Sequence, residues 1–175
     1  MRCSAVPLAS LLALFAACSS PQPNAPTTLS PELLATKVKN LAMPLPGLLT
    51  AGQPDEAQFE QLAKLGVKNV VCLRPADEEG TGWEEAKAKS LGVRFVRLPV
   101  AGEGDVTVER AKQLAAELGA GTGTTLVCCG SSNRVGALLA MKAFHVDGKP
   151  AAEALALGKA AGLVKLEAAV QAKLK

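Results

Sequence analysis

The chain has 175 residues, a net charge of +3 at neutral pH and a hydrophobic content of 49%. Loss of a leader that carries Arg2 would lower the charge to +2, a basic field too weak to suggest nucleic-acid binding. Aromatic residues make up 3% of the chain and tyrosine is absent, which argues against a stacking surface for bases. We therefore expect no nucleic-acid partner.

The N-terminus predicts export and a lipid anchor. The apolar run Val6–Ala17 follows Arg2 and is too short to span a bilayer. It leads into Cys18 through Leu14-Phe15-Ala16-Ala17, which resembles a bacterial lipobox. The resemblance implies a signal peptide over residues 1–17 and lipidation of Cys18, and Ser19 favours the outer membrane, with the protein facing the periplasm. The alternative is an ordinary secretory signal in which Cys18 has no role.

Two further segments follow the predicted signal peptide. Residues 18–31 are rich in Ser, Pro, Thr and Asn without an apolar period, and they predict a flexible tether. Residues 32–175, about 140 residues, are enough for one core and predict a single domain. We expect contact with the membrane only through the lipid anchor.

Helical and strand patterns alternate along the predicted domain. The predicted helices are Pro54–Leu65, Trp83–Leu91, Thr107–Leu118, Val135–Phe144, Pro150–Ala161 and Val164–Leu174, and the predicted strands are Val67–Leu73, Val93–Val100 and Leu126–Cys129. This alternation predicts an α/β domain with a central, mostly parallel sheet flanked by helices on both faces. Ligands of such sheets bind beyond the carboxyl ends of the strands.

The stretch Thr124–Gly136 carries the chemistry. A β-branched apolar run ends in two cysteines, and a loop of small residues and an arginine follow: Cys128, Cys129, Gly130, Ser131, Ser132, Asn133 and Arg134. Backbone N–H groups at the start of the next helix favour an anion, and an arginine fork matches a phosphate or sulfate. A cysteine at the base of such a loop is placed to attack as a thiolate. Structural burial of both cysteines is the alternative.

This stretch resembles the active-site loop of the cysteine-dependent protein phosphatases, His-Cys-x5-Arg. It is closer to a bacterial dual-specificity-phosphatase-like family related to β-lactamase-hydrolase-like proteins, whose loop reads roughly His-Cys-Ala-Ser-Gly-Asn-Arg-Val-Gly-Ala. Other stretches agree with that family: Thr50-Ala51-Gly52-Gln53-Pro54, Val70-Val71-Cys72-Leu73-Arg74-Pro75 and Ala154-Leu155 with Ala161-Gly162-Leu163. The resemblance covers Leu48 to the C-terminus. It implies a phosphatase-like fold and hydrolysis of phosphate monoesters through a phosphocysteine intermediate.

The spacing leaves two candidates for the nucleophile. Cys128 with Arg134 gives the Cys-x5-Arg spacing, whereas Cys129 gives the Cys-x4-Arg spacing of the closer family. The alignment with that family implies Cys129 as the nucleophile, Cys128 as the rival, and Gly130, Ser131, Ser132, Asn133 and Arg134 as the phosphate-binding loop. Two features depart from the phosphatase pattern. No His precedes the nucleophile, and Val135 replaces a hydroxyl residue, for which Ser131 or Ser132 could substitute.

The resemblance also implies a general acid from the loop after the preceding strand, here Pro99–Asp105. Asp105 is the candidate and Glu103 the reserve, although Asp105 could instead cap the helix that begins near Thr107. Arg74 is expected at the same edge of the sheet, either bound to substrate or paired with Asp77. The Thr50–Pro54 segment is expected to line one wall beside the loop.

Three functions remain open from the sequence. The first is a phosphatase acting on a small anionic or phosphorylated substrate, and the second is a rhodanese-like sulfurtransferase that carries a persulfide on Cys129. The third is a catalytically weak oxyanion-binding module. No group of His, Cys and Asp has the spacing of a metal site, so no metal or other cofactor is expected.

Overall fold

The computed structural model describes residues 28–175. The predicted signal peptide, Cys18 and most of the predicted tether lie outside these residues. Seven helices and five strands occur in the described part: α1 (Pro31–Ala35), β1 (Ala42–Leu45), β2 (Leu48–Ala51), α2 (Glu56–Lys64), β3 (Val67–Cys72), α3 (Glu84–Ser90), β4 (Arg94–Arg97), α4 (Val108–Ala120), β5 (Thr124–Cys128), α5 (Asn133–His145), α6 (Ala151–Ala160) and α7 (Glu167–Lys173). Helix α1 begins after Ser30, whose side chain accepts a hydrogen bond from the Leu33 N–H.

The strands form one sheet in the order β1-β2-β5-β3-β4. The three pairs β2–β5, β5–β3 and β3–β4 are parallel, and β1 pairs with β2 in the antiparallel direction. The mostly parallel α/β sheet predicted from the sequence is thereby confirmed. Strand β5 lies in the middle of the sheet, so the loop that follows it opens between the ends of its neighbours β2 and β3.

Strands β1 and β2 were not predicted from the sequence. Each has only four residues, and the two are joined through Pro46 and Gly47, the latter at φ +74°. Pro44 lies in β1, where it is tolerated because β1 is an edge strand. All four residues of β2 are buried, since helices cover both faces of the sheet there. So short a buried strand has no alternating pattern to reveal it.

The helices pack on both faces of the sheet, as predicted. Buried residues of α4, α5, α6 and α7 form one core layer together with Val71, Val127 and Cys129. Buried residues of α1, α2 and α3 form the other layer together with Val70, Cys72 and Cys128. Helix α5 is the most deeply buried helix, with eight buried residues from Val135 to Ala143. Among residues 28–175, no helix has both the length and the apolar character needed to cross a bilayer.

Glycines allow α5 and α6 to approach closely next to the predicted site. A Cβ at Gly136 would lie 2.4 Å from the Gly158 carbonyl oxygen and 2.4 Å from the Leu163 nitrogen, and a Cβ at Gly158 would lie 2.8 Å from the Gly136 oxygen. These contacts are too short for any residue with a side chain. The first turn of α5 is thereby held against the turn after α6.

Candidate active site

The predicted phosphate-binding loop has the geometry of an anion site. Strand β5 ends at Cys128 and α5 begins at Asn133, with Ser132 before it in a left-handed conformation at φ +65°. The five backbone N–H groups from Gly130 to Arg134 find no hydrogen-bond acceptor among residues 28–175. Successive free N–H groups around a left-handed residue at a helix N-terminus form a concave site that favours negative charge.

Hydrogen bonds to the turn after α6 and to Asn40 hold this loop in place. The Ser132 hydroxyl is buried and donates to the Ala161 carbonyl at 2.8 Å. The Asn133 side-chain oxygen accepts from the Val164 N–H at 2.9 Å, and the Asn40 side chain donates to the Ser131 carbonyl at 2.9 Å. The Ser132 hydroxyl, one of the two considered as substitutes for the hydroxyl that follows the arginine in phosphatases, is thus occupied by Ala161.

The two adjacent cysteines project from opposite faces of the sheet. Cys128 is paired with Ala51 on one side and with Cys72 on the other, and its side chain lies in the layer under α1, α2 and α3. The Cys129 side chain lies in the opposite layer, with the buried residues of α5. The hydrogen bond with Glu78, and then the negative charge of a Cys129 thiolate, raise the pKa of Arg134. Of the two candidate nucleophiles, Cys129 is therefore the one on the same face of the sheet as α5, the helix that carries Arg134.

Cys128 belongs instead to a buried polar cluster. The Cys72 thiol on the neighbouring strand, together with burial, raises the pKa of the Cys128 thiol well above its usual value. The interaction with the Cys128 thiol in turn lowers the pKa of Cys72. Glu84 is 1% exposed and accepts from Arg97 at 2.7 Å and from the Gln53 side chain at 2.7 Å. Through its hydrogen bond to Glu84, Gln53 connects the Thr50–Pro54 segment to this cluster.

The Thr50–Pro54 segment also lies beside the phosphate-binding loop. The Cys129 N–H donates to the Ala51 carbonyl at 3.3 Å, and the Gly52 N–H donates to Lys39 at 2.7 Å. A Cβ at Gly52 would lie 3.2 Å from the Gly130 carbonyl oxygen. A side chain at position 52 would therefore be tight against the loop and against Lys39, which gives this part of the family-like motif a physical reason.

Arg134 forms a two-point ion pair that the sequence did not reveal. Its Nη1 and Nη2 atoms lie 2.9 Å from the two carboxylate oxygens of Glu78. Arg74 binds the same carboxylate through its Nε at 2.8 Å, so two guanidinium groups share one acid. Arg74 was expected to bind substrate or Asp77, and its side-chain partners are instead Glu78 and the Glu79 carbonyl. The hydrogen bond from Arg134 lowers the pKa of Glu78 to about 2.

The Glu78 pair occupies one edge of the Arg134 guanidinium. Nη1 also donates to the Val100 carbonyl at 2.8 Å, which commits both of its hydrogens. The Nε hydrogen and one Nη2 hydrogen find no oxygen acceptor within residues 28–175. These two donors form the second edge of the planar fork, which can bind two oxygens of a phosphoryl group. Glu78 thus fixes the position of Arg134 and leaves its Nε and one Nη2 hydrogen available to bind an anion.

The two candidate acids lie in a short 3₁₀ helix, Glu103–Asp105, after β4. The Asp105 carboxylate accepts from the Ala101 N–H at 2.7 Å, and the neighbouring Val100 carbonyl binds Arg134. Asp105 does not cap α4, because Thr107 occupies that position and accepts from the Arg110 N–H. Glu103 is exposed, and its carbonyl accepts from Lys173. The Asp105 carboxylate and the Arg134 guanidinium thus bind the two ends of the same peptide group, between Val100 and Ala101.

Within the described part of the chain, no group of three or more His, Cys, Asp or Glu residues could hold a metal ion. The anion-binding features of the loop are backbone N–H groups and one guanidinium. The chemistry that they support is binding of a tetrahedral oxyanion next to a thiol.

Solved structures of phosphatases share this architecture. A candidate phosphatase from Neisseria meningitidis matches with a TM-score of 0.66 at 25% identity, over 78% of this chain and 96% of that one. A candidate phosphatase of the DUF442 type from Shewanella putrefaciens matches with a TM-score of 0.63 at 22% identity, over 83% and 96%. The chain has the fold of the cysteine-dependent phosphatases. TpbA from P. aeruginosa, in complex with pTyr, matches with a TM-score of 0.55 at 24% identity, over 83% and 85%. No protein-family model and no curated protein matches the chain.

Proposed function

We propose that the protein hydrolyses phosphate monoesters through a phosphocysteine on Cys129. The observation that carries this proposal is the position of Cys129, on the α5 side of the sheet and directly before five backbone N–H groups that have no acceptor among residues 28–175. The phosphatase fold supports it, as does the phosphotyrosine bound to one structural neighbour. A short Cys-x4-Arg loop is compatible with the sulfurtransferase too, but the matching structures from Neisseria meningitidis and Shewanella putrefaciens are both of candidate phosphatases.

In the first step the Cys129 thiolate attacks phosphorus, the S–P bond forms, and the P–O ester bond breaks. Asp105 gives its proton to the leaving oxygen. The loop N–H groups and the free edge of Arg134 bind the three equatorial oxygens, where charge is concentrated in the transition state. In the second step water attacks phosphorus, Asp105 accepts a proton from it, and the S–P bond breaks to release inorganic phosphate.

The test is aryl-phosphate hydrolysis under reducing conditions by the chain from Ser19 onward, which contains every described residue. We expect Cys129→Ser to lower kcat by at least about 10³-fold because it removes the nucleophile. Arg134→Ala should lower it by about 10²-fold to 10³-fold. Cys128→Ser is the matched control and should keep most of the activity, since its side chain lies on the other face of the sheet.

Each alternative has its own outcome in this experiment. Loss of turnover in Cys128→Ser but not in Cys129→Ser would reverse the assignment of the nucleophile. Persulfide formation on Cys129 from a thiosulfate donor, without phosphate release, would select the sulfurtransferase. Binding of inorganic phosphate without turnover by any of the four proteins would select the oxyanion-binding module.

Asp105 is tested through the leaving group. Asp105→Asn should lower kcat by about 10²-fold for an alkyl phosphate, whose leaving oxygen needs a proton, and much less for 4-nitrophenyl phosphate. Glu103→Gln is the control and should leave both rates unchanged. Equal losses on the two substrates in Asp105→Asn would assign the proton transfer to another group.

For location, we propose that the protein is exported and held at the outer membrane by lipid on Cys18, facing the periplasm. The lipobox-like sequence before Cys18 supports this. Fractionation of cells that express the wild-type chain or Cys18→Ala tests it. We expect the wild type in the outer-membrane fraction and the variant outside it; equal distribution of the two would overturn the proposal.

A further inference from the structure

Two neighbouring cavities share part of their walls and are together called the trough here, and the first of them is bordered by the phosphate-binding loop. The first, of about 440 Å³, is bordered by Ser131 and Asn133 of the loop. The second, of about 450 Å³, is bordered by Thr28, the first described residue. Leu41, Ala42 and Ala160 contribute to the walls of both cavities, so the two adjoin. Each is within the size range of small-ligand sites.

The walls of the trough are mainly aliphatic. Away from the loop its lining includes Leu29, Leu34 and Met43, and none of its described lining residues is aromatic or acidic. Leu34 is 59% exposed and Val164 is 72% exposed, although both are large and apolar. Exposed apolar side chains that border one continuous depression indicate a surface for an apolar ligand. The lack of an aromatic wall makes a poor fit for a phenyl ring.

The end of the trough at the loop is cationic. Lys159 and Lys165 line the first cavity there, and Lys159 pairs with Glu167 at 2.7 Å. No acidic partner of Lys165 occurs among the residues that the structure describes. The N–H groups of the phosphate-binding loop, which have no acceptor among residues 28–175, add to this positive field. Charge is therefore concentrated at one end of the trough and apolar surface at the other.

We propose that the substrate is the phosphate monoester of a long-chain aliphatic alcohol, with the phosphoryl group in the loop and the single hydrocarbon chain along the trough. This inference rests on the proposed function and names its substrate class. The anionic head of such a lipid is complementary to the cationic end of the trough, and its apolar tail is complementary to the aliphatic walls. Burial of each methylene then adds to the affinity.

The position of the trough on the chain agrees with a lipid substrate. Thr28 lies at its apolar end, and ten residues from Cys18 to Thr28 span at most about 35 Å. A lipid on Cys18 would therefore keep this end of the domain near a bilayer. Residues 19–27 contain no large apolar side chain, so this segment offers nothing that matches the aliphatic walls.

The test uses alkyl phosphates of increasing length, from butyl to octyl to dodecyl, below their aggregation concentrations, with the chain from Ser19 onward. We expect KM to fall by about tenfold or more from butyl to octyl phosphate, since part of each added methylene leaves water. Leu34→Gln and Ala160→Gln should raise KM for octyl phosphate severalfold and leave aryl-phosphate hydrolysis unchanged. Leu65→Gln is the matched control because Leu65 is exposed outside the trough.

Binding of methylphosphonate and octylphosphonate, measured by calorimetry, separates this inference from the proposed function. Aryl-phosphate turnover with equal affinity for the two phosphonates would overturn the inference and leave the phosphatase in place. Tighter binding of octylphosphonate without any turnover would support binding of the alkyl chain in the trough and would overturn the proposed phosphatase activity. Tighter binding after deletion of residues 19–27 would show that the chain itself fills the trough, which would also overturn the inference.

Discussion

At the scale of single residues, the site depends on how the N–H donors of Arg134 are divided between protein acceptors and a bound anion. Glu78 and the Val100 carbonyl occupy three of its five N–H donors, and the remaining two face no oxygen acceptor in residues 28–175. A guanidinium held in this way loses little rotamer freedom when an anion binds. Glu78 is therefore a positioning residue, since it acts through Arg134 and need not touch the substrate.

Glu78→Gln tests this role. A neutral amide cannot accept two charge-assisted hydrogen bonds from Arg134 and a third from Arg74, so we expect kcat/KM for an aryl phosphate to fall by roughly tenfold or more. Glu79→Gln is the control, because Glu79 bonds to Arg74 only through its carbonyl. Unchanged kcat/KM in Glu78→Gln, at unchanged folding, would remove Glu78 from the positioning of Arg134.

At the scale of elements, the loop depends on the contact between α5 and the turn after α6. Gly136 and Gly158 bring the two helices together, and Gly162 is at φ +98° against Ser132, where a Cβ would lie 2.7 Å from the Ser132 Cβ. The Ser132 hydroxyl binds Ala161 in the same turn. The left-handed conformation of Ser132, which aims the loop N–H groups, is therefore supported from outside the loop.

Gly136→Ala is expected to destabilise the protein by about 1–3 kcal/mol, because its Cβ would overlap backbone atoms that cannot move independently. Gly119→Ala in α4 is the matched control. A Cβ there meets nothing within 4 Å, so alanine should stabilise the fold by about 0.4–1 kcal/mol through its better helix propensity. Denaturant unfolding of the two variants measures both effects, and equal stability of the two would refute the close-packing argument.

At the scale of the whole molecule, the ion pairs that surround the site connect distant parts of the chain. Glu78 and Arg134 are 56 residues apart in sequence, and Glu84 and Arg97 join α3 to the end of β4. These pairs lie at the carboxyl ends of β3, β4 and β5, where the sheet would otherwise open to solvent. The stability of the fold is thus linked to the charge of Glu78.

Acid unfolding should reveal this linkage. The pKa of Glu78 is lowered to about 2 from a model-compound value of 4.5, so its ion pair contributes stability that is fully present above about pH 4.5 and is lost as the pH falls towards 2. We expect wild-type stability to fall over this interval more steeply than that of Glu78→Gln. Parallel curves for the two proteins, measured by urea unfolding at several pH values, would contradict the assignment.

The sequence by itself determined the order of helices and strands from α2 onward and the residues that form the loop after β5. Both are local properties, since periodicity shows which face of an element is buried, and adjacent residues define the strand, the small loop and the helix start. The short strands β1 and β2 were not predicted, because β1 contains Pro44 and the four buried residues of β2 show no alternating pattern. The predicted signal peptide and lipid anchor lie outside the described residues and remain predictions.

Only the tertiary structure decided which residues meet at the site. The spacing to Arg134 could not separate Cys128 from Cys129, because it says nothing about faces; pairing of β5 with β3 directs Cys128 towards Cys72 and Cys129 towards α5. Glu78 was not among the predicted site residues, because a contact across 56 residues leaves no local pattern. Such pairings follow from strand order and sheet register, which depend on the packing of the whole chain.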